Sequence, residues 1–184
     1  LTWSGNGFEM STTKSLMGKF TLVLTNPPFG SKIVALSGET RRKFELAYKW
    51  RYSKRTNRYQ RLLELSKNTP PQVLFMELCI SLLADGGRLG IVVPESLLSS
   101  KTYRYVVQYI LDHTTPIAII GMPESLFKIS GRGGTHTKVC LVVLEKKQTH
   151  PNHQIFMAEA KWCGHDSRAR EIPKNDIPTI VNKF

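Results

Sequence analysis

Apolar residues fall in short blocks separated by glycine, proline and polar punctuation, and the block lengths alternate between strand and helix. Phe20-Thr21-Leu22-Val23-Leu24-Thr25 reads as a strand that stops on Asn26-Pro27-Pro28-Phe29. From Gln72 to Ala84 the apolar positions Val73, Leu74, Met76, Leu78, Cys79, Ile80, Leu82 and Leu83 run almost all round, which predicts a deeply buried helix. Asp85-Gly86-Gly87 ends it, glycine being free to take the left-handed cap. Arg88 to Val93 is apolar on both faces, as a central strand is, and closes at Pro94-Glu95-Ser96. A helix over Tyr103 to Leu111, a strand over Ile117 to Ile120 and a last strong strand over Lys138 to Leu144 follow. The tail offers one weaker strand, Ile155 to Ala160, and residues 1–18 read as loop and turn. Residues 31–70 are polar and basic, with Phe44, Ala47 and Tyr48, then Leu62, Leu63 and Leu65, at helical spacing.

Strands alternating with helices imply right-handed crossovers and an α/β fold with a mostly parallel sheet. Only the last step, joined by the glycine-bearing loop Lys128 to Thr135, too short for a helix, could run antiparallel. In open α/β sheets ligands sit outside the carboxyl ends of the strands. That places the Asn26 tetrad at the expected binding edge.

The chain's 184 residues suit one globular domain, with an ordinary 41% hydrophobic and 22% charged composition. A net charge of +12 is not ordinary, and points to a polyanionic partner. Nucleic acid is favoured over membrane, because no run of spanning length and no amphipathic basic helix is visible. The polar, glycine-rich start carries no secretory signal, and Cys79, Cys140 and Cys163, odd in number and far apart, read as free thiols of a cytoplasmic protein. The first residue is Leu1 rather than Met, as expected for a fragment.

Pro27 and Pro28 fix their own φ and restrict the residue before each, so the Asn26 carboxamide, the Pro27 carbonyl and the Phe29 ring are presented together with little freedom. Two acceptors and an arene suit a planar heterocycle with an exocyclic amine. A ring-conjugated amine is a poor nucleophile. Acceptors on both its hydrogens pull it towards a tetrahedral nitrogen and stabilise the positive charge that grows as it attacks an electrophile. No tuned general base is required.

A second signal is the run from Arg41 to Arg61. Arg41, Arg42, Lys43, Lys49, Arg51, Lys54, Arg55, Arg58 and Arg61 stand against Glu45 alone, a net +8, with Trp50, Tyr52 and Tyr59 interleaved as stacking platforms. Phosphate neutralisation fits this density better than a solvated helix face. The loop Gly131-Arg132-Gly133-Gly134 lacks the context of a nucleotide loop and reads as a connection. His150, His153, Cys163 and His165 match no zinc spacing, so no metal site is expected. Glu95 and Glu124, each after a strand-ending proline, either line the mouth or cap helices.

The tetrad resembles the catalytic motif of DNA adenine-N6 methyltransferases. Further stretches in the same order are similar to the modification subunits of type I restriction-modification systems: Leu74-Phe75-Met76-Glu77, Gly86 to Pro94, Gly121-Met122-Pro123 before Leu126-Phe127, Thr137-Lys138, Gly164 to Arg168 and Asn175 to Pro178. The resemblance implies a Rossmann-like, three-layer αβα methyltransferase sheet with an antiparallel last strand and its N-terminal half missing. On that reading residues 1–148 are the C-terminal part of the catalytic domain, and 149–184 an extension packing on or leaving the sheet. It implies S-adenosylmethionine as donor, adenine in double-stranded DNA as acceptor, catalytic Asn26, Pro27, Pro28 and Phe29, and specificity and restriction subunits as partners. Nothing in residues 1–19 matches the family's upstream glycine loop and acidic residue. Only Asn26 and Pro28 then remain as partial cofactor-binding residues, and the chain is expected to bind the donor poorly and to be inactive alone. Competing readings are methylation of an RNA base or a protein glutamine, or a non-catalytic nucleic-acid-binding or assembly piece.

Overall fold

The computed structural model describes residues 7–8, 14–29, 36–128, 137–147, 152–168 and 170–184. Its centre is a five-stranded sheet built from β1 (Phe20–Thr25), β4 (Leu83–Pro94), β5 (Thr115–Gly121), β6 (Val139–Glu145) and β7 (Phe156–Glu159), in the order β1-β4-β6-β5-β7. The elements between β1 and β4 are α1 (Gly38–Arg41), the hairpin β2 (Tyr48–Ser53) and β3 (Arg58–Leu65), and α2 (Pro71–Leu82). Helices α3 (Glu95–Ser99) and α4 (Arg104–His113) lead to β5, and α5 (Ser125–Lys128) follows it. A small antiparallel pair, β8 (Cys163–His165) and β9 (Glu171–Asn175), and helix α6 (Ile177–Lys183) end the chain.

β1 runs parallel to β4, and β5 parallel to β7. The expected reversal is present: β6 inserts between β4 and β5 and is antiparallel to both. The turn read from Asp85-Gly86-Gly87 lies inside the β4 span. There the partners step from Phe20↔Leu83 to Leu22↔Arg88, so four residues of β4 loop out against one of β1. Gly86 has φ of +76°, and a Cβ at Gly87 would meet the Ala84 and Phe20 carbonyls at 2.8 Å, which excludes a side chain there.

The core lies between the sheet and α2, α3 and α4. Val73, Met76, Cys79 and Ile80 of α2, with Val106, Tyr109 and Ile110 of α4, cluster with Leu89, Ile91 and Val93 of β4 and Cys140, Val142 and Leu144 of β6. Alternation along β4 therefore sends Leu89, Ile91 and Val93 into this core and turns Gly90 to the other side, where Leu24 covers it. The all-round apolarity of α2 follows from its place, because a second cluster of Phe8, Phe44, Ala47, Leu74, Leu78 and Leu82 packs along its other flank. β1 is an edge strand among the described residues, and Leu22 and Leu24 are 57% and 73% exposed. Cys79 and Cys140 are buried free thiols, and Cys163 is half-buried.

One expectation is corrected. The helical spacing in residues 31–70 is not used, because apart from α1 and a 3₁₀ turn over Glu45–Ala47 this stretch folds as the β2–β3 hairpin. Aromatic Trp50, Tyr52 and Tyr59 favour extended backbone. Asn57 supplies the positive φ (53°) that the turn between the strands needs. Leu63, counted in the helical pattern, is 93% exposed on β3. No helix among the described residues is long and apolar enough to cross a membrane.

Candidate active site and basic face

The carboxyl ends of β1, β4, β5 and β7 and the start of the reversed β6 share one edge of the sheet. Helix α2 runs back from that edge. Its last residue, Leu82, accepts the N–H of Lys19 at 3.1 Å just before β1, so its first turn stands level with the end of β1. Asn26 sits at this edge exposed, and its carboxamide makes no hydrogen bond to any described residue. Pro27 is buried and anchors the turn, Pro28 is exposed, and the half-buried Phe29 ring meets Phe127 edge-on at 6.1 Å and 83°. An unengaged amide oxygen beside a ring braced by a second ring can receive N–H donors from a planar heterocycle.

Further along the edge Lys138 joins two carboxylates, Glu159 at 2.9 Å and Glu95 at 3.4 Å. The hydrogen bond that Lys138 donates to Glu159, helped by both negative charges, raises the Lys138 pKa, so the ammonium persists. Sequence inspection marked Glu95 as a possible mouth residue but missed Glu159, whose position follows only from β7 pairing with β5. The glycine loop 131–134, His150 and Gly30 lie outside the described residues. His153 bonds the Pro116 carbonyl at 2.6 Å, which accounts for it structurally.

The nine basic residues are gathered on and below the hairpin, but not on equal terms. Lys49 pairs with Glu64 at 2.5 Å, Arg58 donates to Asp112 at 2.6 Å, Arg61 covers the Tyr48 ring at 4.6 Å, and Arg41 donates to the Ser66 carbonyl. Arg42, Lys43, Arg51, Lys54 and Arg55 are exposed and form no ion pair among the described residues. The interleaved aromatics are also divided. Trp50 stacks on Tyr105 of α4 at 5.8 Å, and the Tyr59 backbone is held at both N–H and C=O by the Gln108 side chain at 2.8 and 3.0 Å. Tyr52, 46% exposed, meets Tyr59 edge-on at 5.3 Å. Two of the three proposed platforms therefore dock the hairpin onto α4. The spacing of Tyr105, Gln108 and Asp112 on one helix face is the signal that could have shown this.

Beneath the β1 edge lies a groove of about 300 Å³ lined by Gly7, β1 and the apolar flank of α2, including Phe75, Leu78 and Leu82. Cys79 lines it too, its thiol pushed up to about 12 by burial and hence inert as a nucleophile. A donor carrying an amino-acid zwitterion and ribose hydroxyls needs carboxylate and N–H partners. Apart from main-chain groups this groove offers hydrocarbon, the Cys79 thiol and the Thr25 hydroxyl, so the groove does not fit that donor.

A mixed sheet with one reversed strand and a stiff Asn-Pro-Pro-Phe turn at its carboxyl edge defines an α/β fold of the methyltransferase class. Among solved structures the fold is shared with a protein described as a class I S-adenosylmethionine-dependent methyltransferase from Listeria monocytogenes (TM-score 0.61, 20% identity, 88% of this chain and 41% of that one). It is shared also with a structure of the type I R-M system (0.54, 21%, 82% and 25%) and with a protein described as a modification subunit of a type I restriction enzyme from Vibrio vulnificus YJ016 (0.52, 16%, 88% and 30%). The chain spans less than half the length of each. No curated protein matches it. The profile of the N-6 DNA methylase family matches residues 3–184, and the chain belongs to that family.

Proposed function

We propose that this chain is the target-base half of a DNA adenine-N6 methyltransferase of the restriction-modification type, cytoplasmic, with S-adenosylmethionine as methyl donor. The observation that carries the reading is the Asn26 carboxamide, exposed and unengaged at the carboxyl end of β1 beside the braced Phe29 ring. Asn26 Oδ1 and the Pro27 carbonyl accept the two N–H bonds of the adenine amine. As the amine attacks, those bonds strengthen with its growing positive charge, which lowers the barrier selectively. Phe29 stacks on the ring and Phe127 holds Phe29. Adenine in a duplex cannot reach this edge, so it is flipped out. The five exposed cations of the hairpin region hold the phosphates either side.

When bound, the donor would supply the methyl group that the amine receives. Specificity and restriction subunits are the proposed partners, the first of them reading the target sequence. The test is product identity. Protein carrying this chain with its donor-binding segment is given labelled donor and duplex DNA, RNA or protein, and the products are hydrolysed. N6-methyladenine from DNA is expected; label in RNA bases or glutamine instead would replace this reading.

A further inference from the structure

Glu77 of α2 is a carboxylate in the hydrophobic core, 5% exposed, that no step of the proposed reaction uses. Its two oxygens accept the backbone N–H groups of Glu45 at 2.7 Å and Leu46 at 2.8 Å. Those residues open the 3₁₀ turn Glu45–Ala47, from which β2 departs. The same turn receives the other end of the hairpin, because the Ala47 carbonyl accepts from Ser66 N–H at 2.8 Å just after β3. The Glu45 carbonyl takes the Trp50 indole N–H at 3.3 Å. Phe44, Leu46 and Ala47 wedge this turn into both hydrophobic clusters. Both ends of the basic hairpin thus return to one three-residue turn, whose first two N–H groups are accepted by one side chain, Glu77. An amide in its place offers one acceptor oxygen and sets an NH₂ against the second N–H.

We propose that Glu77 is the positioning residue of the basic hairpin, its core carboxylate fixing the turn on which the hairpin is mounted and so the angle at which Arg51, Lys54 and Arg55 meet a phosphate backbone. The proposal rests on reading the hairpin as a nucleic-acid contact. The groups facing Glu77 are Glu45 on the turn, Arg61 on β3 and Tyr109 on α4. Burial, against the two N–H bonds, leaves the carboxyl pKa raised to about 7. Protonation removes acceptor capacity, so the mounting tightens as pH rises through neutrality.

The test is Glu77→Gln in the whole chain, read by site-resolved hydrogen exchange and by a salt titration of duplex-DNA binding. Amides of Glu45 and Leu46 are expected to lose at least tenfold protection while those of β4 and β6 keep theirs. The slope of log affinity against log salt is expected to shrink by about one phosphate contact, ~0.9. Unchanged protection at Glu45 and Leu46, or lost protection with an unchanged slope, overturns the proposal. If the variant does not fold, the native chain decides: protection at those two amides should rise relative to that of β6 between pH 6 and pH 8, and an unchanged ratio overturns it. Native chain whose DNA affinity ignores salt would sink the nucleic-acid reading instead, leaving the exchange data to judge the mounting.

Discussion

Asn26 and Glu77 are the two polar side chains on which most depends, and the fold treats them oppositely. Asn26 is exposed and bonded to nothing described, so the native state does not lean on it. Asn26→Ala should leave the melting temperature unchanged while lowering methyl transfer 10²–10³-fold, the usual loss when one preorganised transition-state partner is removed. Phe29→Ala should weaken base binding by ~1–3 kcal/mol, measurable with 2-aminopurine at the target, whereas Phe29→Tyr keeps the stacking face. Burial pushes the Glu77 carboxyl up to about 7 in the folded state, above its ordinary 4.5. Between those values the folded state holds a proton that the unfolded chain has released. The stability Glu77 contributes is therefore whole below about pH 4.5 and is lost as pH rises to 7, by at most roughly 3 kcal/mol. Urea melts from pH 4.5 to 8 should show that fall, and Glu77→Gln should flatten it. The same titration loosens the whole fold and tightens one turn, a divergence that separates global melting from local exchange.

The hairpin β2–β3 divides its charges between structure and partner. Arg51→Ala, Lys54→Ala and Arg55→Ala should each lower the salt slope of DNA binding by ~0.9 where they neutralise a phosphate. Lys49→Ala and Arg58→Ala, already paired with Glu64 and Asp112, should change it little. This element is also where sequence and structure part company. β1, α2, β6 and the Asn26 edge were legible because each is a local signal: an apolar run of strand length, an all-apolar helix, a pair of prolines. The hairpin was not, because its aromatic and leucine positions fit two periods, and the choice between them is made by α4 more than forty residues on. Trp50 finds Tyr105, and the Tyr59 backbone finds Gln108. Glu159 was equally invisible, since only the β5–β7 pairing carries it to Lys138.

At the scale of the whole molecule, the sheet is closed on one face and open at one edge. α2, α3 and α4 cover one side, while Leu22 and Leu24 stand bare beside the apolar groove at the β1 edge. Calorimetry should accordingly find S-adenosylmethionine binding to this chain alone far weaker than to the chain joined to its donor-binding segment. Tight binding by the chain alone would show that the groove is not the place to look. The basic hairpin β2–β3 is a two-stranded sheet of its own, apart from the five-stranded sheet that carries the Asn26 edge; in the proposed function the hairpin's charge brings the nucleic acid and the edge acts on one base. The most direct test of that account is the single-turnover rate of N6-methyladenine formation by the joined protein, with native Asn26 and with Asn26→Ala at matched DNA occupancy. A rate reduced at least a hundredfold at unchanged DNA affinity is the expected result; equal rates would contradict the claim that this carboxamide holds the amine.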